Sequence, residues 1–262
     1  MDDASDDLAV ALGLADAADA IAIDRFQASD LVVETKPDMT PVSDADRAVE
    51  TAIRDLLARH RPGDAIHGEE FGSDDGERQW IIDPIDGTKN FVRGVPVWAT
   101  LIALRVGDEI TTGVVSAPAL GRRWWASTDR GASCSAPGAL HPRHPLRASK
   151  VSTIEDASFA FSDAVGWPGG SLERLLTSTW RQRGYGDFWS HLMVAEGVVD
   201  IAAEPALKIH DAAALVPIIE ASGGRITTFD GHPLPWNDPT AEFSALTTNA
   251  LLHSSVVNLL RG

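Results

Sequence analysis

The sequence predicts a mixed α/β fold of the α+β kind, and three observations predict it. Residues 6–26 are rich in alanine and place apolar side chains three or four apart, the spacing of a helix. Residues 65–126 break into short apolar runs with turn residues between them, the pattern of strands. Beyond residue 150, strand-like and helix-like segments alternate. The 262 residues suffice for one large domain or for two lobes sharing an interface.

In the first helix Leu8, Ala11, Leu12, Ala15, Ala18 and Ile21 form the stripe, while Val10 and Leu14 fall off it, so the apolar face is broad or the helix is buried on more than one side. A β-like run, Leu31-Val32-Val33, leads into a polar loop over 34–41. Ser43-Asp44-Ala45-Asp46 has the form of a capping box and opens a second helix to about His60. Strands are expected at 65–67, 79–82 and 122–126, with 97–106 and 110–117 as an antiparallel pair turned at Gly107-Asp108. Pro137, Gly138, Pro142 and Pro145 mark a boundary between lobes. Then come a strand at 158–162, helices near 169–179 and 188–197, a strand at 198–203 and a helix at 211–221 stopped by Gly223-Gly224. Strands at 225–229 and 244–248 and a helix at 250–260 finish the chain.

The formal net charge of −16 argues against a nucleic-acid partner, which needs a basic footprint, and against anionic membrane surfaces. No apolar run is long enough to span a bilayer. The lone Cys134 excludes an internal disulfide and a Cys-rich zinc site, and it suits a reducing compartment. The first seven residues are acidic where a signal peptide would be basic, so a cytoplasmic protein is expected.

The acids with chemical promise are Glu69 and Asp83, each placed where a short apolar run stops, and Asp86, three residues after Asp83. Pro84 stiffens the turn between the two aspartates, and Gly87 follows. A tight turn can aim both carboxylates and the Ile85 carbonyl at one point, a donor set suited to Mg²⁺. Gly87-Thr88-Lys89-Asn90 reads as a helix start, whose backbone N–H groups would meet a phosphate. On spacing alone, Asp83 and Asp86 read equally well as ordinary turn acids.

Gly68-Glu69-Glu70, Asp83-Pro84-Ile85-Asp86-Gly87-Thr88, and Asp211-Ala212-Ala213-Ala214 with Gly223-Gly224 resemble the three signature motifs of the inositol monophosphatase family, in order and in separation. Lys36 and Ser43-Asp44 match the segment usual upstream of them, so the resemblance covers nearly the whole chain. It implies a layered αβαβα sandwich of the inositol monophosphatase and fructose-1,6-bisphosphatase type. An N-terminal lobe over 1–140 would carry an antiparallel sheet and most of the metal ligands. A C-terminal lobe over 141–262 would carry Asp211 and the leaving-group pocket. A homodimer is implied as well.

The same resemblance implies a phosphatase with two or three Mg²⁺ per site. One ion would be held by Glu69, Asp83 and the Ile85 carbonyl, a second by Asp83, Asp86 and Asp211, and a third near Glu69 among waters. Thr88, polarised by Asp44, would orient or deprotonate the attacking water, and the Gly87 and Thr88 N–H groups would hold the phosphate. Glu69, Thr88 and Asp44 are thus the expected catalytic set. Asp44 also reads as a helix-capping acid. Lys36 reads as a catalytic cation or a solvated loop charge, and Glu70 as a supporting or surface acid, since the family's ligand is the first Glu after Gly.

Two segments depart from the inositol-hydrolysing pattern. His210-Asp211 stands where Trp-Asp is usual, and Gly184-Tyr185-Gly186-Asp187-Phe188-Trp189 puts an acid where a small neutral residue is usual. With the 36–46 segment, Leu207-Lys208-Ile209-His210-Asp211 and Leu215-Val216-Pro217, they resemble the histidinol-phosphatase branch of the family. The implied substrate is then a small phosphate ester with an amine, histidinol phosphate, hydrolysed in histidine biosynthesis. Asp187 or Glu204 would pair with the amine, and Trp189 or His210 would pack on the imidazole. Asp187 also reads as an N-cap and Trp189 as a core residue. The rivals are an inositol monophosphatase or broader sugar or nucleotide phosphatase of the same fold, and a metal-binding regulatory protein without turnover. The last is disfavoured because every matching ligand, and Thr88, is intact.

Overall fold

The computed structural model describes all residues except 1–3, 38, 136–143, 237 and 239. Helices Ala4–Arg25 and Asp44–His60 form an outer layer. They cover one face of a sheet whose strand order is His144–Pro145, Gly131–Ser135, Arg122–Ser127, Glu109–Ala117, Ala99–Val106, Arg78–Asp86, Ala65–Gly68 and Gly72–Ser73. Side chains alternate between the faces of a strand, and here both faces are buried. Trp80, Ile82, Ile102, Leu104, Val114 and Trp125 pack beneath the two helices. Ile81, Leu101, Ala103, Val115, Trp124 and Ala126 point the other way, into a core shared with Phe188 and Leu192 of helix Asp187–Ala195 and Leu215, Ile218 and Ile219 of helix Leu215–Ala221. That double burial explains why the strands read as continuous apolar runs.

The two inner helices are a middle layer. Beyond them lies a second sheet in the order Arg181–Gly184, Ser158–Phe161, Ile201–Leu207, Phe243–Asn249 and Gly224–Thr227. Its far face carries Phe159, Ile201, Ala203 and Leu246 against helices Ser171–Ser178 and His253–Arg261, through Leu175, Val256 and Leu260. The architecture is therefore the five-layer αβαβα sandwich. The expected boundary between lobes at residues 140–141 lies outside the described residues. The first sheet includes His144–Pro145, which pairs antiparallel with Gly131–Ser135.

Most expected elements fall within a few residues of their observed ends. The pair turned at Gly107-Asp108 is antiparallel as expected, and Gly107 takes φ +60°, a conformation that suits glycine. The expected helix at 211–221 is two pieces, Ile209–Ala212 and Leu215–Ala221, and the first begins where the Asp211 carboxylate accepts the Lys208 N–H at 2.6 Å. Several strands were not expected, and two of them are four or five residues long. Arg181–Gly184 is a polar edge strand with no apolar alternation to announce it. Gly131–Ser135 is short and built of small residues.

Candidate active site

Two irregularities in strand pairing shape one cleft. In the first sheet the register slips between Asp83 and Asp86, so Pro84 and Ile85 leave the ladder opposite Ala99–Val106. In the second sheet the register slips between Glu204 and Leu207. The cleft, about 640 Å³, lies between these slips; Glu69, Asp83, Asp86, Thr88, Asp187, Glu204, His210 and Asp211 all line it.

The turn after Asp83 is held locally. The Ile85 N–H donates to Asp83 Oδ1 at 3.0 Å, and the Thr100 hydroxyl donates to the Pro84 carbonyl at 2.8 Å. Gly87 follows with φ +81°, and a Cβ there would sit 2.9 Å from the Val97 carbonyl oxygen and 3.2 Å from Asp187 Oδ2. Only glycine suits both the conformation and the space. The short helix Thr88–Val92 then opens toward the cleft.

Oxygens of Asp83, Asp86 and Asp211 all lie within 4.8 Å of one another. Asp211 joins from the middle layer, with Oδ2 fixed by the Lys208 N–H. Asp86 Oδ2 accepts the Phe188 N–H at 2.9 Å, at the start of helix Asp187–Ala195. Burial, and then the neighbouring carboxylates Glu69, Asp86 and Asp211, push Asp83 well above the usual carboxylate range. Burial, then Asp187 and Asp211, push Asp86 up in the same way. Glu69 goes the other way: burial raises it, but His210 and Lys36 beside it, with hydrogen bonds from Lys36 and Asp83, hold it below its ordinary value. Lys36 Nζ donates to Glu69 Oε1 at 2.8 Å and to Glu70 Oε1 at 2.5 Å. Lys36 is therefore a clamp on two acids, and Glu70 is a largely buried partner of that clamp.

The expected contact between Asp44 and Thr88 is absent. Asp44 faces outward and pairs with Arg25 at 2.8 Å. Asp46 takes the place assigned to it: the Thr88 hydroxyl lies 3.3 Å from Asp46 Oδ1 and 2.9 Å from the Ile85 carbonyl oxygen. Asp46 Oδ2 accepts both the N–H and the hydroxyl of Ser43, at 2.8 and 2.6 Å, in the capping box of helix Asp44–His60. The reason is helical geometry. Asp44 is the first residue of the helix and Asp46 the third, and about 200° of rotation separates them, so only one can face the cleft. The capping box visible in the sequence was the signal that could have singled out Asp46.

Also lining the cleft, Asp187 accepts through Oδ2 from Asn90 Nδ2 at 3.0 Å. Asp187 has φ +45°, and it is the first residue of its helix; Gly186 occupies the capping position that was expected for Asp187. Burial and the Asp211 charge push its carboxyl up to about 6, with Lys89 opposing. Glu204 accepts the Ser162 N–H at 2.7 Å and the Ser162 hydroxyl at 2.5 Å, and burial lifts it to about 7 against those bonds. His210 stacks on His67 with ring centroids 5.8 Å apart, and His210 Nδ1 is buried without a partner. His67, which sequence reasoning passed over, is buried and neutral, its ring pushed down to about 4 by desolvation. Trp189 does not line this cleft. It packs in the core and lies 5.7 Å, ring to ring, from Tyr185, which does line it.

The residues present fit a divalent cation. Buried carboxylates this close repel one another unless protonated, and a cation among them removes both the repulsion and the proton. The donors are hard oxygens throughout, which suits Mg²⁺-type ions better than zinc.

Acids that can hold metal, set beside a helix opening that can meet an anion, define a class: metal-assisted hydrolases of phosphate esters. The comparisons then give the family. The inositol monophosphatase family model matches residues 3–261. A histidinol-phosphatase of Streptomyces coelicolor is 53% identical over 269 aligned positions, covering 99% of this chain and 98% of that protein. One of Mycobacterium tuberculosis is 52% identical over 261 positions, covering 97% and 98%. A solved Thermotoga maritima IMPase superposes with a TM-score of 0.86 at 29% identity, covering 98% of this chain and 97% of that one. The chain belongs to the inositol monophosphatase family, a family of phosphomonoesterases.

Proposed function

We propose that this protein hydrolyses L-histidinol phosphate to L-histidinol and phosphate, a step of histidine biosynthesis. The observation that carries the reading is a pair of acids in the same cleft, outside the cluster of metal-binding acids. Asp187 and Glu204 both line the cleft, and both suit an ammonium group on the leaving alcohol better than a neutral polyol. Two relatives above 50% identity, both named histidinol-phosphatase, support the same choice.

Glu69, Asp83 and the Ile85 carbonyl would hold one Mg²⁺, Asp83, Asp86 and Asp211 a second, and the surroundings of Glu69 a weaker third. Bound there, the ions supply a water of lowered pKa and charge to stabilise the leaving alkoxide. The chain's own groups do the rest. Thr88, with its hydroxyl between Asp46 and the Ile85 carbonyl, orients the attacking water and takes its proton toward Asp46. The N–H groups of Gly87 and Thr88 hold the phosphate. Asp187 and Glu204 anchor the amine, and His210 lies on the same side for the imidazole. Water attacks phosphorus directly, so no phosphoenzyme forms. Asp211 reaches the site from the C-terminal lobe, which begins after the His144–Pro145 strand of the first sheet. The protein works as a homodimer in the cytoplasm, where the free, buried Cys134 stays reduced.

Phosphate release from histidinol phosphate and inositol 1-phosphate, measured side by side with Mg²⁺, tests this. A clear preference for the amine-bearing ester is expected, and a preference for the inositol ester would overturn it.

A further inference from the structure

Helix Asp44–His60 places a second carboxylate one turn beyond Asp46, and the reading so far gives it no role. Glu50 is fully buried. Its Oε2 accepts the Glu70 N–H at 2.7 Å, and its Oε1 accepts the Phe71 N–H at 3.2 Å and Arg54 Nε at 2.8 Å. Arg54 also donates to the Gly72 carbonyl oxygen at 2.7 Å, so the pair grips the 70–72 turn from both its N–H and its C=O sides. A Cβ at Gly68 would overlap the Glu50 carboxylate, so the absent side chain of Gly68 is what lets Glu50 come this close. Burying a charge is costly unless it is paired and fully hydrogen-bonded, and Glu50 meets both conditions. Every backbone group it holds lies within two residues of Glu69.

We infer that Glu50 is a positioning residue: its carboxylate fixes the 68–72 backbone so that Glu69 faces Asp83 before any cation arrives. Asp46 and Glu50, at i and i+4 on one helix face, then serve two parts of one site. Asp46 meets the Thr88 hydroxyl, and Glu50 meets the loop that carries Glu69. Lys36 holds the Glu69 and Glu70 side chains from above, while Glu50 holds their backbone from below.

The inference rests on the reading of Glu69 as a metal ligand, and two measurements separate the two. The first is amide hydrogen exchange in the metal-free wild-type protein. The Glu70 and Phe71 amides are expected to be protected without Mg²⁺, and free exchange at both would overturn the inference. The second is calorimetric titration with Mg²⁺ alone of wild type, Glu50→Gln and Glu50→Ala, each with its urea midpoint. Groups that orient metal ligands are worth roughly 10- to 100-fold in metal affinity. A loss in that range is expected for Glu50→Ala and a smaller one for Glu50→Gln, which keeps one acceptor. A purely structural Glu50 would lower the urea midpoint and leave the affinity of the folded protein unchanged, and that result overturns the inference. Wild type that takes up no Mg²⁺ would instead overturn the metal reading, and the inference with it.

Discussion

Asn90 and Asp187, 97 residues apart in sequence, meet across the cleft: Asn90 Nδ2 donates to Asp187 Oδ2 at 3.0 Å. Asn90 belongs to the short helix that opens at Gly87, and Asp187 begins the middle-layer helix. In the function proposed above, the contact joins the phosphate and alcohol halves of the site, and it leaves the other oxygen of Asp187 for an incoming donor.

Asp187→Asn is therefore expected to raise KM for histidinol phosphate by roughly tenfold or more, the worth of a charge-assisted hydrogen bond. Hydrolysis of a neutral ester such as inositol 1-phosphate should change little. Asparagine tolerates the positive φ of this position, so the backbone survives the change. The substrate preference should also depend on pH. Burial lifts Glu204 to about 7, so it loses its charge as pH falls through that range. KM for the amine-bearing ester, taken relative to the neutral one, should rise from pH 7.5 to pH 5.5. Equal losses on both esters would remove Asp187 from substrate recognition.

Thr88 and Asp46 give a second expectation. Thr88→Val removes the hydroxyl that stands between Asp46 and the Ile85 carbonyl, and general-base contributions of this kind are worth about 10²–10⁴ in rate. Thr88→Ser should keep most activity, and Asp46→Asn should lower kcat with little change in KM. Asp44→Asn loses only a half-exposed pair with Arg25 and should leave kcat near wild type. Steady-state kinetics on the four variants decide the matter: a large loss in Asp44→Asn with none in Asp46→Asn would restore Asp44 to the catalytic role.

The contrast between Asp44 and Asp46 shows what the sequence could and could not carry. The Asp83–Asp86 turn was legible because its ligands are close in sequence and Pro84 and Gly87 flank them. Asp211 lies more than a hundred residues away, and only the resemblance tied it to the others. The direction in which Asp46 points depends on helix phase, which a motif two residues wide leaves open. Glu50 was silent for another reason: a glutamate on an amphipathic helix reads as part of its solvated face unless the loop it holds is known. Layer order was likewise beyond periodicity. A strand buried on both faces and a short buried helix give the same apolar run.

Divalent cations should stabilise the fold, and more so as pH rises. Asp83 and Asp86 lie well above the ordinary carboxylate range without a cation, so protons compete with metal for them. Mg²⁺ at ~100 times its dissociation constant would add about 2.7 kcal/mol. For a chain of this size that is a rise in Tm of about 5–10 °C. Thermal unfolding with Mg²⁺ and with a chelator, at pH 6 and pH 8, tests this, and the cation-induced rise should be larger at pH 8. No rise at either pH would remove the metal site.

His191 gives a stability prediction independent of the cleft. It is buried in the middle layer, with Nδ1 2.8 Å from the Thr247 hydroxyl and Nε2 without a partner. Desolvation holds its ring down to about 4, against 6.5 in the ordinary case. A histidine depressed in this way must be protonated in the unfolded chain before the folded one, so the unfolded state binds more protons between pH 6.5 and pH 4. Stability from this group is complete above pH 6.5 and is lost as pH falls through that window, by about 3 kcal/mol. Glu204 and the other raised carboxyls act with the opposite sign, so the total pH profile does not isolate His191. The difference between wild type and His191→Gln does, because the carboxyls are common to both. Urea unfolding at pH 7.5, 6.0, 5.0 and 4.0 should show wild type losing stability relative to the variant toward low pH. Parallel curves would mean that His191 takes up its proton in the folded state as readily as in the unfolded one.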